Sequence, residues 1–395
     1  MTDPAERWRH LALLATAELL GMSVWFAASA VKPTLTATYG LSVAQGGWLT
    51  SGVQLGFVVG TLLAAFLNLA DLIPSRRFFV GSAVLAAVAN AALLGATSFT
   101  ALLGTRLLTG VALAGVYPPA MKMAATWFVR GRGLAIGVIV GALTAGKAMP
   151  YLLEGLGEIP LRLAVLLPSL GALLAATLIA VGYRDGPHRF PARRFSWGLV
   201  GAVVREPDVR RATLGYLGHM WELYAFWAWI PGFLTAAALS RAQPESIGIW
   251  PFLIVAVGAI GAVTGGLAAD RVGRVRVVRW SLVVSGACCL ASPWLFGAPR
   301  AVLHLVMLIW GAAVVADSAQ FSALVTEHAP QHAIGTALTL QTSLGFLLSI
   351  VTIQSLPLLA GRVGWQWAML VLVLGPVAGL AGVRGLRGQV PHAAR

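Results

Sequence analysis

Six ionisable side chains lie inside long apolar stretches of this sequence: Glu18, Arg106, Lys122, Lys147, Glu222 and Asp317, with His219 as a titratable neighbour. A charge in such surroundings is costly to keep, so it normally faces a partner or a water-filled hollow. A carboxylate there can hold and release a proton, because a low dielectric favours the neutral acid. An ammonium there can bind an anion, or pair with an acid that titrates. Helical spacing groups these residues. His219, Glu222, Phe226 and Trp229 fall at i, i+3, i+7 and i+10, and Glu18, Met22 and Trp25 form a matching stripe. Glu222 and Glu18 are therefore the leading proton sites, with Asp317 and His219 beside them; the competing reading for each acid is a helix–helix hydrogen bond. Thr144, Lys147, Tyr151 and Glu154 share a third stripe, while Gly133, Gly137 and Gly141 mark a separate close-packing face. Only three lysines stand against 25 arginines, and two of the three are in apolar stretches, which singles out Lys147 as a ligand contact. Arg106 has two readings, a ligand contact or a stem reaching the headgroups. Tyr117 shares its face, whereas Lys122 joins that face only through a kink at Pro118-Pro119.

The elements that must position these groups follow from composition. Of 395 residues, 58% are hydrophobic and only 11% charged, with a mean hydropathy of +0.81. A soluble domain carries roughly 25% charged residues, so too little polar surface exists here to cover a water-facing body. Apolar blocks fall at 10–31, 46–69, 78–97, 100–124, 133–155, 160–183, 211–238, 247–269, 277–297, 301–325, 335–358 and 364–384. Each has the length of a helix crossing ~30 Å of hydrocarbon. The expected fold is an all-α membrane protein of twelve transmembrane helices. Arg7 and Arg9 before the first block and Ala28-Ser29-Ala30 after it resemble a cleaved leader. Glu18, and a counterpart in the second half, favour an uncleaved first helix.

The net charge of +14 resides in loops between apolar blocks rather than in one patch, so it reads as a topology signal and not as a nucleic-acid surface. With the N-terminus inside, inner segments hold 20 Arg and Lys against 5 outside. Both termini are expected in the cytoplasm, the chain lying multi-pass in a bacterial-type inner membrane as a monomer. The polar interval 184–210 contains Pro187, Pro191 and Pro207 and separates residues 1–183 from 211–395, six helices each. Within it, Ser196 to Val204 suits a surface helix. Cys288 and Cys289 are adjacent in an apolar block and are read as packing; neither metal-ligand spacing, a nucleotide loop nor a nucleophile–base set is evident, so no cofactor, metal or enzymatic chemistry is expected.

The two halves look like parallel repeats. Glu18 and Glu222 are 204 positions apart, Trp25 and Trp229 likewise, and Asp71 and Asp270 are 199 apart. Between the eighth and ninth blocks stand Gly266, Asp270, Arg271, Gly273 and Arg274, which match the G-x-x-x-D-R-x-G-R signature loop of the major facilitator superfamily. Gly266 permits close helix contact, Gly273 a tight turn, and Asp270 can pair with arginines or cap a helix end. The first-half copy keeps Asp71 and Arg76 but lacks both glycines. Arg106-Leu-Leu-Thr-Gly110 and the Trp127 to Gly133 loop resemble further motifs of that superfamily, and the overall texture is similar to its nitrate/nitrite and cyanate porters, although the glycine- and asparagine-rich nitrate signatures are absent from helices 5 and 11.

The resemblance implies two six-helix pseudo-repeat bundles around a central cavity lined by helices 1, 4, 7 and 10, and secondary transport by alternating access. Combined with the buried charges, this predicts proton-coupled movement of a small organic or inorganic anion. Lys147, Arg106, Tyr117, Thr144, Tyr151, Trp25, Phe226 and Trp229 would contact it, and Lys122 would pair with Asp317 as a cytoplasmic gate when the cavity opens outward. Gly56 and Gly60, with Gly261 and Gly265, are expected where the halves rock on each other. Efflux of an amphipathic or cationic compound uses the same acids and tryptophans through cation–π contact. A membrane sensor or lipid-handling protein on this fold is the alternative of another class.

Overall fold

A computed structural model describes residues 4–67, 69–128, 131–157, 159–188, 196–240 and 247–386. Every regular element among them is helical, as it must be where no water is at hand to satisfy backbone groups. Eleven helices are long and apolar enough to cross a membrane. They are α2 (Val43–Phe66), α3 (Ser75–Gly95), α4 (Phe99–Ala125), α5 (Arg132–Gly155), α6 (Leu161–Gly182), α7 (Pro207–Ser240), α8 (Trp250–Val272), α9 (Arg274–Phe296), α10 (Arg300–His328), α11 (Gln331–Val363) and α12 (Trp365–Val383).

The first expected span is interrupted. It consists of α1 (Pro4–Met22), a turn over residues 23–26, and two short helices, Ala27–Ala30 and Lys32–Tyr39. α4 is broken in the same manner between Leu113 and Tyr117, ahead of Pro118-Pro119, and α10 at Asp317. Proline has no N–H to continue the ladder, which accounts for the break in α4. The surface helix expected in the linker runs from Trp197 to Arg205, and the Ser196 N–H donates to Thr336 on α11. α7 starts at Pro207, four residues before the predicted boundary, because proline suits the first turn of a helix. The linker stretch 189–195 lies outside the described residues.

Glycine pairs fix how the helices meet, and here the expectation needs correcting. A Cβ on Gly56 or Gly60 would meet the carbonyls of Leu107 and Val111 on α4, and one on Gly261 or Gly265 those of Ala312 and Ala316 on α10. These pairs therefore bind α2 to α4 and α8 to α10, each within one half, as equivalent contacts of a repeat. The seam between halves is made by the other glycine face: Gly133, Gly137 and Gly141 of α5 abut Gly266, Ala262 and Ala259 of α8, backbone against backbone. Small residues allow that approach without interlocking side chains.

Candidate functional site

Between the halves lies a cavity of about 600 Å³. It begins at the end bearing Ser75, Arg132, Arg274 and Glu327 and reaches Trp25, Lys147 and Trp227. Arg132 and Lys147 are both on α5, so the cavity extends about 22 Å along that helix at 1.5 Å per residue. At the opposite end the halves touch. Lys32 Nζ sits 3.8 Å from the Trp229 ring centre, Gln354 Nε2 donates to Ser51 Oγ at 3.0 Å, and Tyr151 donates to the Trp227 carbonyl at 3.1 Å.

Lys147 occupies the head of the cavity, fully buried. Its ammonium lies 3.6 Å from the ring centre of Trp25, 4.6 Å from Tyr224 and 5.6 Å from Trp227, and it donates to the Tyr224 hydroxyl. Phe57 and Phe346 complete the aromatic wall, their rings 4.6 Å apart. The indole N–H groups of Trp25 and Trp227 are buried with no hydrogen-bond partner among the described residues. Glu18 interacts electrostatically with Lys147 and Tyr117, yet both its buried carboxylate oxygens lack a hydrogen-bond partner among the described residues. Basic residues dominate the lining: Lys122, Arg132, Lys147 and Arg274, against Glu327 as its acid. Arg274 donates to Glu327 at 2.6 Å, so that acid is already matched.

On the other half, His219 lines the cavity and contacts Asp317 through Nδ1 at 2.9 Å and Ser318 Oγ through Nε2 at 3.0 Å. Asp317 is thus a buried partner of His219, and Lys122 lines the cavity. Tyr117 and Thr144 also line it.

Several expected contacts lie elsewhere. Glu222 faces α9 and α10, accepting from Trp310 Nε1 at 2.6 Å, Ser285 Oγ at 3.1 Å and Cys289 Sγ at 3.3 Å. Cys289 is therefore a donor as well as packing. Phe226 stacks on Trp310 at 4.5 Å, away from the cavity. Trp229 and Tyr151 belong to the closed end. Arg106 neither reaches headgroups nor lines the cavity. It is fully buried and donates to the carbonyls of Leu49, Val24 and Trp25 and to Asn90 Oδ1. The turn over 23–26 frees backbone carbonyls inside the membrane, and the guanidinium fork satisfies them. That clamp explains how α1 can be broken where no water reaches it.

The signature loop spans the halves at the basic end. Asp270 Oδ2 accepts from the backbone N–H of Leu134, at the N-terminus of α5, where a negative charge also meets the helix dipole. Gly273 takes φ +92°, a conformation that side chains rarely adopt. Arg274 turns inward to Glu327 and Gln320, whereas Arg271 is exposed. In the first half Arg76 donates to the Ala180 carbonyl. Asp71 is helical, and its side chain falls outside what is described. Among the described residues, no cluster of three or more His, Cys, Asp or Glu is placed to hold a metal.

A stripe of α7 apart from that of Glu222 builds much of this wall. Tyr216, Met220, Leu223, Tyr224 and Trp227 all line the cavity at i, i+4, i+7, i+8 and i+11 of α7. The periodicity was visible, but α7 carries a second aromatic stripe with an acid on it, and the acid drew the choice.

Comparison with known proteins agrees with this architecture. The chain is 28% identical over 279 residues to an uncharacterized MFS-type transporter of Yersinia pestis, covering 67% of this chain and 70% of that one. It is 21% identical over 320 residues to the niacin transporter NiaP of Acinetobacter baylyi, covering 71% and 70%. Among solved structures, the human organic anion transporter MFSD10 superposes with a TM-score of 0.75 at 17% identity, covering 97% of this chain and all of that one. An inward-facing bacterial homolog of the human lysosomal transporter Spinster gives 0.70 at 16% identity, covering 97% of each. These structures share the fold. The nitrate/nitrite and cyanate likeness finds no support among these relatives. The model described as Major Facilitator Superfamily matches residues 13–353, and the chain belongs to that superfamily of transporters.

Proposed function

We propose that this transporter moves a small anion together with protons by alternating access. The observation that carries the reading is the lining of the cavity: among the described residues Lys122, Arg132, Lys147 and Arg274 line it, with Glu327 as the one carboxylate, and Lys147 stands at its head. Such a field concentrates anions and repels cations, which weighs against efflux of a cationic compound. Lys147 at the head is the anion contact. Glu18 beside it exchanges the proton: when an anion occupies Lys147, a second negative charge nearby is disfavoured, and the acid takes up a proton. The His219–Asp317 pair is a second exchange site on the facing half. With both termini in the cytoplasm of a bacterial-type inner membrane, as the distribution of Arg and Lys favours, the cavity is open inward and Lys32 with Trp229 helps to close the outside. Residues 1–183 and 211–395 are the bodies that rock, joined by 184–210, and the working unit is a monomer. In the opposite state Lys122 and Asp317 close the inner end. Niacin, named for the Acinetobacter relative, is a small anion when deprotonated.

Purified protein in proteoliposomes with an internal pH dye tests this. Acidification that accompanies anion uptake and is lost in Lys147→Ala is the expected result. A charge-assisted contact contributes about 1.5–3 kcal/mol, so the loss should be roughly tenfold to hundredfold. Anion uptake unchanged in Lys147→Ala would overturn the reading.

A further inference from the structure

We infer that the cargo is a monoanion whose carboxylate is attached to a flat aromatic ring, held at the head of the cavity by Lys147, Trp25 and Trp227 and gripped by Tyr224, Phe57 and Phe346. This names the class of anion and rests on the reading above.

The polar groups at the head are nearly all donors. An ammonium has three N–H bonds, and the Tyr224 hydroxyl accepts one from Lys147. The indole N–H groups of Trp25 and Trp227 are donors only, and neither has an acceptor among the described residues. Two unmatched indoles and one ammonium in a single ring cluster are rare in a finished core, where buried polar groups are bonded. They call for an acceptor with more than one oxygen and a negative charge, which a carboxylate supplies. Among the described residues no acid is part of the lining at the head: Glu18 interacts electrostatically with Lys147 from behind that lining, and Glu327 lies at the mouth with Arg274.

The remaining surface of the head fixes the rest of the cargo. Trp25 stacks near Tyr224 with ring centres 5.7 Å apart and planes 30° apart, and Tyr224 is 5.2 Å from Phe346. Phe57 lies 5.3 Å from Trp25 and 4.6 Å from Phe346. All four rings line the cavity, with that of Trp227 as a fifth. An inorganic anion or a short aliphatic acid would leave these faces unused, and losing its hydration there would be uncompensated. An aromatic ring adds stacked and edge contacts with preferred geometry. A single compensated charge is also all that Lys147 can match at the head, so a dianion is disfavoured.

Calorimetric titration of the purified full chain with benzoate, cyclohexanecarboxylate, propionate, nitrate, phthalate, benzamide and benzylammonium reads this directly. Benzoate should bind at least tenfold more tightly than propionate, nitrate or phthalate, and several-fold more tightly than cyclohexanecarboxylate. Benzamide and benzylammonium should show no measurable binding. Phe346→Leu should weaken benzoate roughly tenfold while leaving propionate unchanged, and Trp25→Phe, which keeps a ring but removes the N–H, should weaken both acids alike; using two variants guards against one failing to fold. If nitrate or propionate binds as tightly as benzoate, the aromatic class is wrong while anion transport stands. If benzamide or benzylammonium matches benzoate, or no anion binds, both the aromatic class and the anion reading fall.

Discussion

Glu18 and Glu222 occupy matching places in the two halves, and both are buried, yet their surroundings are opposite. Glu222 accepts from a tryptophan, a serine and a cysteine on two neighbouring helices. Glu18 has no hydrogen-bond partner among the described residues and faces the field of Lys147. The two positions have diverged: one acid is tied into the packing of its half, and the other stands unbonded beside a lysine, where the proposed cycle has it exchange a proton. A buried carboxylate that is fully bonded resists titration, whereas an unbonded one yields to it.

Four experiments break or sharpen that contrast. The largest effect is expected from Glu18→Gln, which should reduce pH-gradient-driven accumulation to background while the protein still binds its anion; gradient-driven uptake in proteoliposomes measures it, and persistence of full accumulation would move the proton to the other half. Glu222→Leu should be the most destabilising change, because three buried donors lose their acceptor at about 1–3 kcal/mol each. Glu18→Leu strands no bonded donor but removes the charge beside Lys147, so it should lower the melting temperature less than Glu222→Leu, and the difference between the two in thermal denaturation is the diagnostic. Ser285→Ala removes one of the three bonds to Glu222 and should cost about 1 kcal/mol with the pH dependence of uptake intact. Smallest is Lys32→Ala at the closed end, where a cation–π contact contributes roughly 0.5–1 kcal/mol. It should shift the balance of open and closed outer ends two- to fivefold, as seen by labelling a cysteine placed there.

Much of this molecule was legible from its residues. The apolar blocks located the eleven helices long enough to cross a membrane among the described residues but not the interruption of the first block, and Gly266 to Arg274 pointed to the superfamily before any contact was known. Rarity singled out Lys147, and the structure places it at the head of the cavity against Trp25. Arg106 was misread because no pattern announces a broken helix: Ser23 to Phe26 contain neither proline nor glycine, and the guanidinium that satisfies the turn comes from a helix about eighty residues on. Gly56, Gly60, Gly261 and Gly265 showed that helices touch closely but not which helices, because spacing defines a face and never its partner. The choice between the two stripes of α7 failed for the same reason. A helix buried on every side offers periodicity to the cavity and to the core alike, and only the neighbours decide.

One helix joins features that otherwise lie far apart. α5 receives Asp270 at its first turn, packs against α8 along Gly133, Gly137 and Gly141, and carries Lys147 at the cavity head. In the proposed cycle it serves as a rigid push-rod on a smooth bearing. A tug on its ammonium reaches the clasp at its far tip without passing through a loop, so a bulky residue anywhere along the bearing should jam transport while leaving ligand affinity untouched.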